Sequence, residues 1–134
     1  MNEKQALEFS YRWLPAWTGN KPDLLIEFYT NDAFYLDPAN KAGLKGRAQI
    51  LSYFKKLLSM NPNWIWEVLE VFPTEKGFLG KWKATIPVGT DVIIAQGVDI
   101  VEIKGGKIVR NEVYFDRTEL LDALMHHKTK KLIA

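Results

Sequence analysis

Between residues 64 and 115 four strand-length runs follow one another: Trp64 to Phe72, Phe78 to Ile86, Val92 to Ile103 and Lys107 to Phe115. Only "PTEKG", "PVGT" and "KGG" stand between their cores. Joints this short cannot carry a crossover, so consecutive runs must lie antiparallel, with Gly105-Gly106 as a strong hairpin signal. The second half of the chain is therefore a four-strand meander. Such a sheet has one apolar face to cover, and the first half must supply the cover.

The first half reads as helices. Leu7, Tyr11 and Leu14, with Ala6, Ser10, Trp13 and Trp17, recur at helical spacing, and Pro15 ends or kinks that helix. "NKPDLLIEF" places Pro22 at a helix start with Leu24, Leu25 and Phe28 on one face. "AFYLDP" is a short strand stopped by Pro38, followed by a Gly-bearing loop. "GRAQILSYFKKLLSM" aligns Ile50, Leu51, Phe54, Leu57 and Leu58 in a stripe, which predicts an amphipathic helix. "DRTELLDALMHH" predicts a last helix with Asp116 as N-cap. The order predicts an α+β fold, helices against one face of a curved antiparallel sheet. A chain of 134 residues suits a single domain spanning 1–134.

Composition narrows the function. A net charge of +2 is too weak to argue for nucleic acid or an anionic membrane. The absence of cysteine excludes disulfides and thiolate chemistry, and no carboxylate–histidine spacing supports a metal. The charged "MNEKQALEFSYRW" lacks the apolar core of a signal peptide, so a cytoplasmic protein is expected. Aromatic residues reach 13%, with five tryptophans, enough to line a cavity as well as a core.

Period-two alternation sorts the strands into faces. In the third run Ile93, Ala95, Gly97, Asp99, Val101 and Ile103 share one face, where Asp99 is the sole polar group. In the last run Val109, Asn111, Val113 and Phe115 look inward, with Ile108, Arg110, Glu112, Tyr114 and Asp116 opposite. A carboxylate on an apolar face needs a partner or a task. Asp99 is either paired in the core or an acid lining a pocket. Asp37 is either a turn residue before Pro38 or a general base. Asp116 reads as a helix cap. Trp13, Trp17, Tyr35, Trp82 and Phe115 are core or pocket lining. Arg47 either supports the "LDP" loop or is solvated. The outer face carrying Val92, Ile94, Val98 and Ile100 is too apolar to be left in water and predicts a homodimer.

"FYTNDAFYLDPANKAGLKGRAQILSYF" and "GVDIVEIKGGKIVRNEVYFDRTELL" resemble the nuclear transport factor 2-like superfamily, most closely SnoaL-like polyketide cyclases and ketosteroid isomerase. The resemblance covers nearly the whole chain. It implies a cystatin-like cone, a curved antiparallel sheet wrapped around N-terminal helices, with a pocket at the open end. Residue by residue, it implies Asp37 as general base, Asp99 as a protonated oxyanion-hole acid and Asp116 near the cyclases' acid/base. Trp13 stands near the isomerase's first-helix tyrosine, and an indole N–H is a different donor. The expected ligand contacts are Trp13, Trp17, Tyr35, Trp82, Asn111 and Phe115. The function expected is a cofactor-independent isomerase or cyclase acting on a small apolar, carbonyl-containing ligand. The competing expectation is a non-catalytic binding or assembly module.

Overall fold

A computed structural model describes the backbone of residues 1–133 and the side chains of residues 1–129. The helices are α1 (Glu3–Trp13), continued by a 3₁₀ turn (Leu14–Trp17), α2 (Pro22–Ile26), α3 (Arg47–Met60) and α4 (Thr118–Ile133). The strands are β1 (Tyr29–Asp37), β2 (Asn40–Lys45), β3 (Ile65–Pro73), β4 (Gly77–Val88), β5 (Asp91–Lys104) and β6 (Lys107–Phe115). They form one sheet in the order β2-β1-β6-β5-β4-β3. The meander β3 to β6 is antiparallel as its short turns require. The junction of β1 with β6 is parallel, because the hairpin to β2 and the passage through α3 let β6 return in the same direction as β1.

The α3 stripe packs inside the sheet. Ile50, Phe54 and Leu58 are buried, and the Phe54 ring meets those of Trp17, Tyr29 and Tyr35 at 5.0 to 5.4 Å. On α1 the buried face is Ala6, Phe9, Ser10 and Trp13, while Tyr11 is exposed. The face is thus centred on Phe9 and Ser10, one position away from the stripe that began at Leu7. On α2 Leu25 and Ile26 are buried and Leu24 is exposed.

Two features depart from the sequence reading. The loop expected after Pro38 contains β2, an edge strand paired only with β1. Ile108, assigned to the outer face, is buried. The register with β5 shifts between Glu102 and Ile103, so that Ile103 pairs with Ile108 rather than Val109. The extra residue in β6 is a bulge, which turns Ile108 to the same side as Asn111 and Val113.

Candidate functional site

A cavity of about 290 Å³ opens where the 3₁₀ turn, the end of β1, α3 and α4 approach the inner face of β3 to β6. That volume sits at the lower end of the range for small-molecule pockets. Its wall is aromatic. Trp17, Trp66, Trp82 and Phe115 form a chain of rings with centroids 6.3, 4.9 and 5.4 Å apart in turn. Gly97 makes this packing possible, since a Cβ there would lie 2.4 Å from the Trp82 ring and 2.8 Å from Phe115 Cβ. The leucines Leu120, Leu121 and Leu124 of α4 close one side.

Among the described residues two carboxylates line this cavity, and they are treated oppositely. Asp99 stands on β5 at the inner end, as alternation predicts, and is 4% exposed. Its Oδ1 is buried without a hydrogen-bond partner. Burial pushes the carboxyl up to about 7, although the N–H groups of Trp82 and Asn111 pull the other way. No lysine or arginine pairs with it among the described residues. The neighbouring Asn111 accepts from the Tyr29 hydroxyl at 2.8 Å and donates to the Ile100 carbonyl at 3.4 Å. That leaves its amide as a fixed neighbour of Asp99. Burial and the charge of Asp99 hold the Tyr29 phenol well above its ordinary range, so Tyr29 remains a neutral donor.

Asp37 ends β1 and is 6% exposed. Its Oδ1 accepts from the backbone N–H groups of Ala39 and Asn40 and from Asn40 Nδ2, each at 2.9 Å. Its Oδ2 accepts from Tyr35 at 2.9 Å and Tyr53 at 2.6 Å. Five donors exceed the roughly four lone-pair sites of a carboxylate, so the Asp37 side chain is fully hydrogen-bonded within the chain. The two backbone N–H bonds are those of the turn that Pro38 suggested. Desolvation and the shared carboxylate push both phenols up, so neither tyrosine is a base.

The other expected residues divide. Trp17, Tyr35, Trp82 and Phe115 line the cavity. Trp13 and Asn111 are buried behind its wall, and the Trp13 Nε1 has no hydrogen-bond partner. Asp116 is exposed outside the cavity. It accepts from the backbone N–H and hydroxyl of Thr118, which lowers its carboxyl and fixes the start of α4. The cap is built from one position before the residue that accepts the first helical bond, Arg117. Arg47 does not reach the "LDP" turn, and pairs with Glu27 at 2.5 Å. His126 and His127 are exposed on α4.

Among the lining residues that a reading of the sequence did not assign to the site are Tyr53, Trp66 and Arg117. Tyr53 looks like the flank of an amphipathic helix. Trp66 looks like one more strand aromatic, yet its Nε1 is buried without a partner. Arg117 looks like a solvated residue beside a cap, yet it lines the cavity, with Nη2 donating to the Pro38 carbonyl at 3.3 Å. No signal short of long-range contact identifies them.

Among the described residues no helix is long and apolar enough to cross a membrane. No curated protein sequence matches the chain. Solved structures share its fold. A protein of Catenulispora acidiphila with a ketosteroid isomerase-like fold, in complex with trimethylamine, is 20% identical with a TM-score of 0.76 over 87% of this chain and 91% of that one. A candidate SnoaL-like polyketide cyclase from Jannaschia is 16% identical with a TM-score of 0.74, covering 91% and 92%. TerC, co-crystallised with polyporic acid, is 11% identical with a TM-score of 0.75, covering 90% and 98%. The SnoaL-like domain family matches residues 11–111, and the chain belongs to that family, within the nuclear transport factor 2-like superfamily.

Proposed function

We propose that this cavity binds a small, ring-bearing carbonyl compound and that Asp99 exchanges a proton with it, in a cofactor-independent isomerisation or aldol-type cyclisation. The observation that carries this reading is a buried acid without a cationic partner whose carboxyl is pushed up to about 7. A group that titrates near neutral pH suits both halves of a proton transfer. Ionised, Asp99 takes the proton next to the carbonyl. Protonated, it returns the proton to another carbon or donates to the enolate oxygen. Asp37 is a positioning residue in this scheme, since its acceptor sites are filled by the turn and the two tyrosines. That inverts the roles implied by the resemblance to ketosteroid isomerase.

The test is solvent-deuterium exchange into a bicyclic aryl ketone such as beta-tetralone. Exchange should rise with pH to a plateau above about 7 and disappear in Asp99→Leu. Exchange unchanged by Asp99→Leu removes Asp99 from the chemistry. The presence of trimethylamine and polyporic acid in two relatives supports ligand binding by this fold without deciding the reaction. A binding module without catalysis is favoured by one observation, the saturation of Asp37, and would bind the ketone without exchange.

The outer face supports self-association. Val92, Ile94, Val98 and Tyr114 are 60, 50, 37 and 50% exposed on the side of the sheet away from α1 and α3. Covering this patch in a homodimer removes apolar surface from water. Sedimentation should give a dimer at micromolar concentration, and a monomer for Val98→Lys. A wild-type monomer would defeat the proposal.

A further inference from the structure

We propose that Arg117 receives an anion at the rim of the cavity, and that the ligand is a ring-bearing carboxylate held between Arg117 and the aromatic wall. The inference rests on the ligand-binding reading of the cavity above and adds the charge and orientation of what enters.

Arg117 is the only lysine or arginine among the described lining residues. It is half-buried, and its one hydrogen bond among the described residues, to the Pro38 carbonyl at 3.3 Å, uses a single N–H of five. That bond pins the guanidinium beside the cavity without neutralising it. The carboxylates that could neutralise it are committed elsewhere. Asp37 is filled by five donors, and Asp116, its immediate neighbour in sequence, is held by Thr118. Arg117 forms no ion pair among the described residues.

The environment sharpens the point. Apolar leucines of α4 and the ring of Tyr53 surround this end, so an anion arriving there is partly withdrawn from water. A guanidinium with a planar fork of free donors suits a carboxylate, and the interaction strengthens where water is thinned. The Tyr53 hydroxyl donates to Asp37 and has the Asn40 amide beside its oxygen. Its proton is therefore committed to Asp37, and it is no rival for the anion. The cavity also holds Asp99, on β5, which repels a second anion when ionised. A ligand with one carboxylate thus enters in one orientation, anion at Arg117 and apolar rings toward Trp82.

Four tryptophans line the cavity, so binding is followed by quenching of intrinsic fluorescence. The probes are naphthoate, naphthamide and naphthylmethylammonium, which share a two-ring body and differ in charge. With the wild type, naphthoate should bind at least tenfold tighter than naphthamide, and the ammonium compound weakest. Arg117→Gln should erase the advantage of naphthoate while leaving naphthamide affinity within about twofold, which also certifies its fold. Arg117→Lys should keep part of the advantage, because it keeps charge without the fork. Equal binding of naphthoate and naphthamide overturns the anion role and leaves the cavity reading standing. So does an advantage that survives Arg117→Gln, or tightest binding of the ammonium compound. Failure of all three to bind overturns both readings.

Discussion

The cavity holds the same functional group at two places, β1 and β5, in opposite states of satisfaction. Asp37 receives donors from two backbone N–H groups, one amide and two phenols, whereas Asp99 keeps one oxygen without any partner. Both side chains are nearly inaccessible, at 6% and 4%. Burial alone therefore does not decide what a carboxyl group can do. Donors convert a buried carboxylate into a fastening for a turn, and their scarcity leaves an acid that titrates near neutrality.

One substitution made at both positions probes this contrast most directly. The largest effect is expected at Asp99. Its folded value of about 7 lies above the unfolded value of ~3.9, so the folded state retains the proton longer than the unfolded chain. The stability tied to this group is complete below about pH 4, declines as pH rises toward about 7, and is constant above it. The span is on the order of 4 kcal/mol, as an upper figure. Asp99→Asn, which cannot ionise, should remove that decline. Urea melts at pH 4.5 and pH 8 should show the variant gaining on the wild type at the higher pH. A wild type that becomes more stable over this interval relative to the variant would mean that Asp99 is ionised in the fold.

Asp37→Asn should act in the opposite sense. An amide nitrogen placed among five donors leaves at least one of them unpaired, at a cost of about 2–3 kcal/mol. Thermal unfolding at neutral pH measures it. A neutral or stabilising outcome would erase the contrast between the two places. The smallest effect belongs to the exposed acid outside the cavity. Asp116→Ala should lose about 1 kcal/mol through the start of α4 and leave deuterium exchange into the ketone unchanged. A loss of exchange without loss of stability would return Asp116 to the site.

The sequence made some of this legible and hid the rest for physical reasons. The meander could be read because period-two alternation and turn residues are local signals. Asp99 stood out as the one polar group on an apolar face, and it is buried as that pattern requires. Strand β2 was hidden because "NKAGLK" is an edge strand with little apolar alternation, stabilised by its pairing with β1. Ile108 was assigned to the wrong face because a bulge has no marker in the residues that form it. Asp37 could be recognised as a turn residue from the proline after it. That two phenols also reach it, one from its own strand and one from α3, depends on the packing of α3. Arg117 belongs to the same class, since it meets Pro38 across 79 positions of sequence.

The notch at Gly97 gives the cavity a simple genetic lever. A single added methyl group there would stand 2.4 Å from the indole of Trp82, and that ring would have to shift. The ring also carries one of the N–H groups that steady Asp99. Shape and acidity at the inner end are thus inherited together, through one residue that has no side chain at all. Descendants of this chain that alter the depth of the cavity at Gly97 would retune its acid in the same step, whereas those that alter α4 would change the entrance and leave the acid as it is.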